Sequence, residues 1–206
     1  MEIKKPEVVK KKISWKEWIV PLSEENMTVR EALETQAQSG AAEQVKIPLI
    51  VKLVENPKYD IPYITLFDGA VGLTEHDIIH LLLGRGMLPK DEAFIIGFTM
   101  GSSNSMSTFQ KKIYGLISKY AYPKYYKFDD EDIEVFKKAA HLGYVSNCQP
   151  LNTIDFESLM DLSLKEAREK VGIEVDLINA YYKAERQKYP NDNASQRSYQ
   201  KQLKDL

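Results

Sequence analysis

The sequence has little of several features that mark common classes of protein. Cys148 is the only cysteine, so no disulfide can form within the chain and a disulfide-stapled secreted domain is not expected. The longest nearly uncharged apolar stretch covers residues 93–101, well short of the roughly 18–20 residues that span a bilayer. No apolar run with a cleavage site follows the lysine-rich first dozen residues. We therefore expect neither a transmembrane helix nor a secretory signal.

An excess of charge of either sign is also missing. The 28 basic and 30 acidic residues leave a formal net charge of −2, which argues against nucleic-acid binding, since such domains are usually strongly basic. Hydrophobic residues make up 43% of the 206 residues, enough for one soluble domain with a sizeable core. With a single cysteine, this composition fits an intracellular protein, either cytoplasmic or peripheral on the inner side of a membrane.

Helix signals dominate the pattern of apolar residues. Valine, isoleucine and threonine nowhere alternate with polar residues for long enough to build a sheet, so the predicted fold class is all-α. We expect a single helical domain over residues 26–189 of about seven to nine helices, with polar arms at 1–25 and 190–206. The predicted helices run from Thr28 to Gly40, from Pro48 to before Pro57, from Thr74 to Gly84 or Gly86, from Pro89 onward with a polar interruption at 101–105, from Asp129, from Phe156 to Val171, and over 173–189.

Two of the three histidines lie in one short segment. At about 100° per residue, His76, Asp77 and His80 point into one sector of the predicted helix. Histidines at i and i+4 can place two imidazoles on one ion, although the helical zinc motifs carry Glu rather than Asp after the first His. Eleven residues separate His80 from Glu92, and a Gly-Arg-Gly turn between them would let the next helix fold back. The pattern predicts a site for zinc or another divalent ion, with two nitrogen and up to two carboxylate ligands.

Each of these residues also has a purely structural interpretation. Asp77 could complete a capping box with Thr74, and Glu92 could be a first-turn carboxylate that interacts with the helix dipole. A pair of histidines in a core or on a surface can show the same spacing. The four residues together are more specific than any one of them, and both interpretations stay open at this level.

The same residues resemble the signature of a known family. The coenzyme Q (ubiquinone) biosynthesis protein four family carries His-Asp-x-x-His, eleven residues and then Glu, which is complete here as His76, Asp77, His80 and Glu92. The Leu-Leu-Gly after the second histidine is similar as well. Where the family usually has a Gln-Thr-Gly-like stretch, this chain departs from it with Phe-Thr-Met-Gly-Ser-Ser at 98–103. The resemblance covers residues 45–175 and includes a closing segment similar to the family's last helix: residues 154–157, Leu164, Glu166, Arg168, Glu169, Gly172 and Ile173.

The resemblance implies a function as well as a fold. It implies an all-α protein with one divalent ion on the four signature residues and an apolar groove for a polyprenyl chain. The implied activity is oxidative decarboxylation and hydroxylation at the ring carbon that bears the carboxylate of a prenylated hydroxybenzoate. The implied partners are an isoprenoid lipid, a membrane surface, other quinone-biosynthesis proteins and further copies of the chain. An isoprenoid-lipid carrier or scaffold without catalysis of its own is the alternative.

Two segments that mix lysine with aromatic residues predict the membrane contact. Lys119 and Lys124 lie in one of them, and Trp15 and Trp18 follow the lysines of the other. Such segments can bind an anionic membrane surface. The alternative is that the aromatic rings dock on the domain while the lysines stay solvated. A phosphohydrolase of the His-Asp type is disfavoured, because that class needs a further histidine upstream and none precedes His76.

Overall fold

A computed structural model of the protein describes residues 14–39, 73–103 and 128–197. Those residues form helices and contain no β-strand; one isolated bridge joins Thr28 to Ser163. The all-α fold class is therefore confirmed for the described part of the chain. The helices are α1 (Val29–Gln38), α2 (Leu73–Leu83), α3 (Pro89–Ser102), α4 (Asp130–Val145), α5 (Leu164–Lys170) and α6 (Val175–Lys188), with 3-10 turns at Leu151–Thr153 and Glu157–Leu159.

Two helix starts predicted from capping residues are confirmed. The Thr28 hydroxyl accepts a hydrogen bond from the Glu31 backbone N–H at 3.2 Å, and the Glu31 carboxylate accepts one from the Thr28 backbone N–H at 2.9 Å. Asp129 and Asp132 form the same reciprocal pair at 2.8 and 3.1 Å at the start of α4. Each pair satisfies two backbone donors that the first helical turn leaves without partners.

The prediction of one continuous helix from Phe156 to Val171 is wrong. A 3-10 turn occupies Glu157–Leu159, and α5 starts separately after its N-cap Ser163. The break has a tertiary cause, because its backbone pairs with the start of α1. The Val29 N–H donates to the Leu162 carbonyl at 3.0 Å, and the Leu164 N–H donates to the Met27 carbonyl at 2.8 Å. The predicted stop at Gly172 is confirmed, with φ +75° in the left-handed region.

Helices α3 and α4 approach each other closely along glycines. A Cβ at Gly101 would collide with the Ala140 carbonyl oxygen, and one at Gly143 with the Phe98 carbonyl oxygen. Phe98 and Phe136 are each 1% exposed in the shared core. This packing immobilises α3, the helix that carries Glu92.

The amino-terminal residues that the structure describes belong to the packed domain. Trp18, Val20 and Leu22 are at most 5% exposed and lie in the hydrophobic core. The Trp18 indole N–H donates to the Thr35 hydroxyl at 3.0 Å, and Trp15 packs partly buried against the same core. The packed domain thus begins before residue 26, and the two tryptophans dock on it as the alternative to membrane contact predicts.

The packed domain also extends beyond residue 189, its predicted carboxyl-terminal end. Ala194 and Ser195 are 2% and 4% exposed, and the Ser195 hydroxyl donates to the Glu185 carboxylate at 2.9 Å. Residues 190–197 are therefore part of the folded domain. The predicted helices starting at Pro48 and over 106–120, as well as Lys119 and Lys124, lie outside the described residues. None of the described helices is long and apolar enough to cross a membrane.

Candidate metal centre

Helix α2 carries both histidines into the interior. Ile78, Ile79 and Leu81 are at most 2% exposed, so this helix is buried on most of its circumference, as its largely apolar sequence requires. His76 is 5% exposed and His80 is fully buried. Burial on this scale is unusual for a polar ring without partners, so the imidazoles need partners inside the protein.

The turn after α2 brings the next helix back toward the histidines. Gly84 takes φ +65°, the Gly84 N–H donates to the Leu81 carbonyl at 3.3 Å, and the Arg85 N–H donates to the His80 carbonyl at 3.0 Å. This is the hydrogen-bond pattern of a Schellman helix stop, which favours glycine at its left-handed position. Pro89 then opens α3 at a position where proline is well tolerated. Glu92 therefore lies in the first turn of α3, facing α2.

Three of the four predicted ligand residues come together. The two histidine Nε2 atoms are 3.0 Å apart. The Glu92 carboxylate places Oε2 at 3.1 Å from His76 Nε2 and Oε1 at 3.4 Å from His80 Nε2. The imidazole rings meet edge to face, with an interplanar angle of 74°. One ligand atom from each residue thus lies within 4.8 Å of the others, as the spacing of the motif predicts.

The imidazoles and the carboxylate of this cluster stabilise each other's charged forms. Burial by itself raises the pKa of Glu92, but His80 and His76 outweigh it and hold that pKa well below its usual value. Burial likewise lowers the pKa of His80, and the Glu92 carboxylate, with Asp77 and Asp91 beyond it, raises it above its usual value. The environment of the cluster therefore favours a positive charge next to Glu92, supplied either by a proton or by a cation.

Asp77 is on the same helix but has a different partner. Burial raises the pKa of its carboxyl, while the nearby side chain of Gln36 on α1 acts in the opposite direction. It does not belong to the group of three that converges, so its role as a fourth ligand stays a prediction. Helix α2 begins at Leu73, which leaves Thr74 inside the first turn rather than at the N-cap that the structural interpretation of Asp77 requires.

The donor set fits a divalent metal ion. Two imidazole nitrogens and a carboxylate are ligands that zinc and related ions accept. Ligands at about 2.0–2.1 Å from a tetrahedral ion lie roughly 3.3–3.4 Å from one another, and the separations of 3.0, 3.1 and 3.4 Å come within a few tenths of an ångström of that. As hydrogen bonds these contacts compete, because His76 Nε2 can either donate to Glu92 or accept from His80 Nε2, but not both. His80 Nδ1 is buried without a hydrogen-bond partner.

Sequence reasoning missed the charged groups that surround the site. Arg85 is 2% exposed and makes two hydrogen bonds to Glu185 of α6, a partner one hundred residues away. The Gly-Arg-Gly turn is the only local signal, and it does not reveal the partner. The thiol of Cys148 is buried and unreactive, because burial and then Glu174 raise its pKa to about 12.

The described residues thus form a helical fold with a buried His-His-Glu cluster between α2 and the first turn of α3. Comparisons of the chain with protein families, with curated proteins and with solved structures found no match. The resemblance to the coenzyme Q biosynthesis family therefore rests on the motif residues themselves.

Proposed function

We propose that this protein binds one divalent metal ion through His76, His80 and Glu92 and acts in prenylquinone biosynthesis. The observation that carries the metal assignment is the convergence of two Nε2 atoms of α2 and a carboxylate of α3 within 3.0–3.4 Å. The assignment to quinone biosynthesis is supported by the His-Asp-x-x-His and Glu motif and by the similar closing segment. The substrate proposed on that basis is a prenylated hydroxybenzoate.

The proposed activity is oxidative decarboxylation and hydroxylation of the prenylated ring. A bound cation supplies a Lewis acid that can hold the ring carboxylate and stabilise negative charge on ring oxygens. The chain itself contributes the two buried imidazoles, which exclude water from one side of the site. The Glu92 side chain is 14% exposed against 6% and 0% for the histidines, so solvent reaches the cluster mainly on the glutamate side. Three protein ligands leave a tetrahedral ion one further position, as in catalytic zinc sites.

A carrier or scaffold without catalysis is the second candidate. The nearly complete burial of His76 and His80 favours it, because structural metal sites are closed to solvent whereas catalytic sites keep an open position. In that case the metal would stabilise the contact between α2 and α3, and an isoprenoid tail would bind elsewhere on the protein. Peripheral contact with a membrane belongs to both proposals.

The metal content of the purified protein tests the site. Protein prepared without added metal is expected to hold close to one equivalent of a divalent ion, measured by elemental analysis, whereas His80→Ala and Glu92→Ala are expected to lose most of it. The matched control is His141→Ala, since His141 is the third histidine and lies exposed on α4. Retention of the full metal content in both site variants, or its absence from the parent even after incubation with zinc, would refute the assignment.

Turnover separates the enzyme from the carrier. Metal-loaded protein given a prenylated hydroxybenzoate and oxygen is expected to release carbon dioxide, and Glu92→Ala is expected to abolish that release because it removes the only carboxylate of the cluster. The measurement is labelled carbon dioxide from substrate labelled at the carboxylate, with His141→Ala as the control. An isoprenoid lipid that copurifies in stoichiometric amount, without turnover, would instead support the carrier.

A further inference from the structure

Arg85 lies inside the turn that joins the two ligand-bearing helices. Its guanidinium lies over two adjacent aromatic rings, at 4.4 Å from the centre of Phe94 and 4.1 Å from that of Tyr182. Such cation–π contacts are strongest when the cation is withdrawn from water, and Arg85 is 2% exposed. The position of this charge is therefore tightly constrained.

The same residue touches both helices of the metal centre. Its backbone N–H donates to the carbonyl of His80 at 3.0 Å. Its Nη1 lies 3.6 Å from Oδ1 of Asp91, the residue immediately before Glu92. The other oxygen of Asp91 accepts from the Leu88 backbone N–H at 3.0 Å and so caps the first turn of α3. The charge of Arg85 thus stabilises the carboxylate that organises the turn in which Glu92 lies.

A third element reaches the same guanidinium from the carboxyl-terminal part of the chain. Glu185 of α6 accepts two hydrogen bonds from it, at 3.0 and 2.6 Å, and a further one from the Ser195 hydroxyl at 2.9 Å. Burial raises the pKa of Glu185, but Arg85 outweighs it and keeps that pKa below its usual value. Arg197 contacts Asp91 from the same segment. Helix α6 and the residues after it are thereby attached to the turn that sets the ligands.

We propose that Arg85 is a positioning residue for the metal centre and that, through its pair with Glu185, docking of α6 and metal binding stabilise each other. The inference deepens the proposed function and rests on it. Groups that orient metal ligands from outside the coordination shell typically change metal affinity by about 10- to 100-fold when they are removed. Coupling of this kind is reciprocal, because each event must favour the other by the same factor.

Cobalt(II) binding tests the inference, since its visible absorption reports the geometry of the site. In Arg85→Gln, the cobalt dissociation constant is expected to rise about 10-fold or more, and the shape of the visible absorption spectrum is expected to change. Arg85→Lys keeps the charge, so its dissociation constant is expected to lie between those of Arg85→Gln and the parent. The matched control is Leu159→Ala, a fully buried side chain outside the ligand helices, which should lower the melting temperature but leave the cobalt affinity and spectrum unchanged. Parent-like affinity and spectrum in folded Arg85→Gln would overturn the inference.

Two further measurements keep the test decisive. If Arg85→Gln does not fold, Glu185→Gln removes the charge of the partner and keeps its shape. This variant is also expected to weaken cobalt binding, and an unchanged affinity would overturn the coupling.

If the parent takes up no metal, the proposed metal centre fails, and amide exchange of metal-free protein still tests the positioning role. The Glu92 amide, which donates to the Leu88 carbonyl at 3.0 Å, should then exchange faster in Arg85→Gln than in Leu159→Ala. Equal rates would refute the role of Arg85.

Discussion

Replacing Arg168 by methionine is expected to lower the free energy of unfolding by about 3–5 kcal/mol. Arg168 is 1% exposed, and its guanidinium donates to four backbone carbonyls rather than to a carboxylate. Burial lowers its pKa to about 10, so it remains charged at neutral pH. The acceptors are the carbonyls of Leu22, Glu24, Leu81 and Leu82, at 2.9, 2.8, 3.1 and 3.0 Å.

The size of this effect follows from what the substitution leaves behind. Leu81 and Leu82 are in the last turn of α2, where carbonyls lack the backbone N–H donor of the helix interior. The Leu81 carbonyl keeps a 3.3 Å bond from the Gly84 N–H, so the loss falls mainly on the carbonyls of Leu82, Leu22 and Glu24. Methionine fills similar space but donates no hydrogen bond, and a buried acceptor without a partner costs about 1–3 kcal/mol. The loss is large against a typical total stability of about 5–15 kcal/mol. Arg168 also belongs to the segment that resembles the family's closing helix, and the structure gives it this architectural role.

Urea unfolding of the variant measures the loss. The matched control is Arg30→Met, because Arg30 is about half exposed and pairs with the exposed Asp161 at 2.9 Å. Exposed ion pairs of this kind contribute about 0–1 kcal/mol, so the control should differ little from the parent. A loss below about 1 kcal/mol in Arg168→Met would show that solvent satisfies these carbonyls instead.

Zinc is expected to stabilise the protein strongly at pH 8 and hardly at all at pH 5.5. Metal ligation needs neutral imidazoles, so protons compete with the ion as the pH falls. A free zinc concentration about 1,000-fold above the dissociation constant would add about 4 kcal/mol to the free energy of unfolding. Thermal unfolding across this pH range, with zinc and with a chelator, measures the difference.

The metal-free protein should show the opposite trend at neutral pH. The pKa of His80 is raised in the folded state above its ordinary 6.5, so the stability it contributes is fully present below about pH 6.5 and is lost as the pH rises through the folded value. The pKa of Glu92 is lowered from its ordinary 4.5, so its contribution is present above about pH 4.5 and is lost in acid. His80 and Glu92 should therefore make the metal-free protein most stable between about pH 4.5 and pH 6.5.

Variants identify the groups responsible for both trends. His80→Ala should remove the zinc effect and flatten the loss of stability above pH 6.5, while His141→Ala should keep both. Zinc and chelator curves that run parallel from pH 5.5 to 8 in the parent would contradict a site built on two imidazoles.

Much of the candidate site follows from local sequence. The i, i+4 spacing of His76 and His80 puts both rings on one side of any α-helix, and the Gly84 turn with Pro89 after it marks a stop and a start that local rules recognise. The convergence with Glu92 could therefore be predicted. The placement of Asp77 near Gln36 could not, because Gln36 lies on a helix about forty residues earlier in the chain.

Helix boundaries show the same division. Capping boxes at Thr28 and Asp129 are readable because both partners lie three residues apart. The break before Ser163 was missed even though Ser163 and Glu166 form such a box, since the apolar periodicity continues through it. Its backbone is set by pairing with the residues before α1, and periodicity carries no information about that pairing.

The sequence by itself determined the helical class of the described residues, the capped starts of α1 and α4, the stop at Gly172, and the grouping of two histidines with a glutamate. Tertiary structure decided which distant groups surround that cluster: Glu185 opposite Arg85, the carbonyls of α2 under Arg168, and the terminal segments that pack in the core. The physical reason is the distance along the chain over which each kind of interaction acts. Caps and helical faces depend on neighbours within about four residues, whereas a buried charge must be matched by whichever partner the fold brings to it, and charge pairing leaves no periodic mark in the sequence.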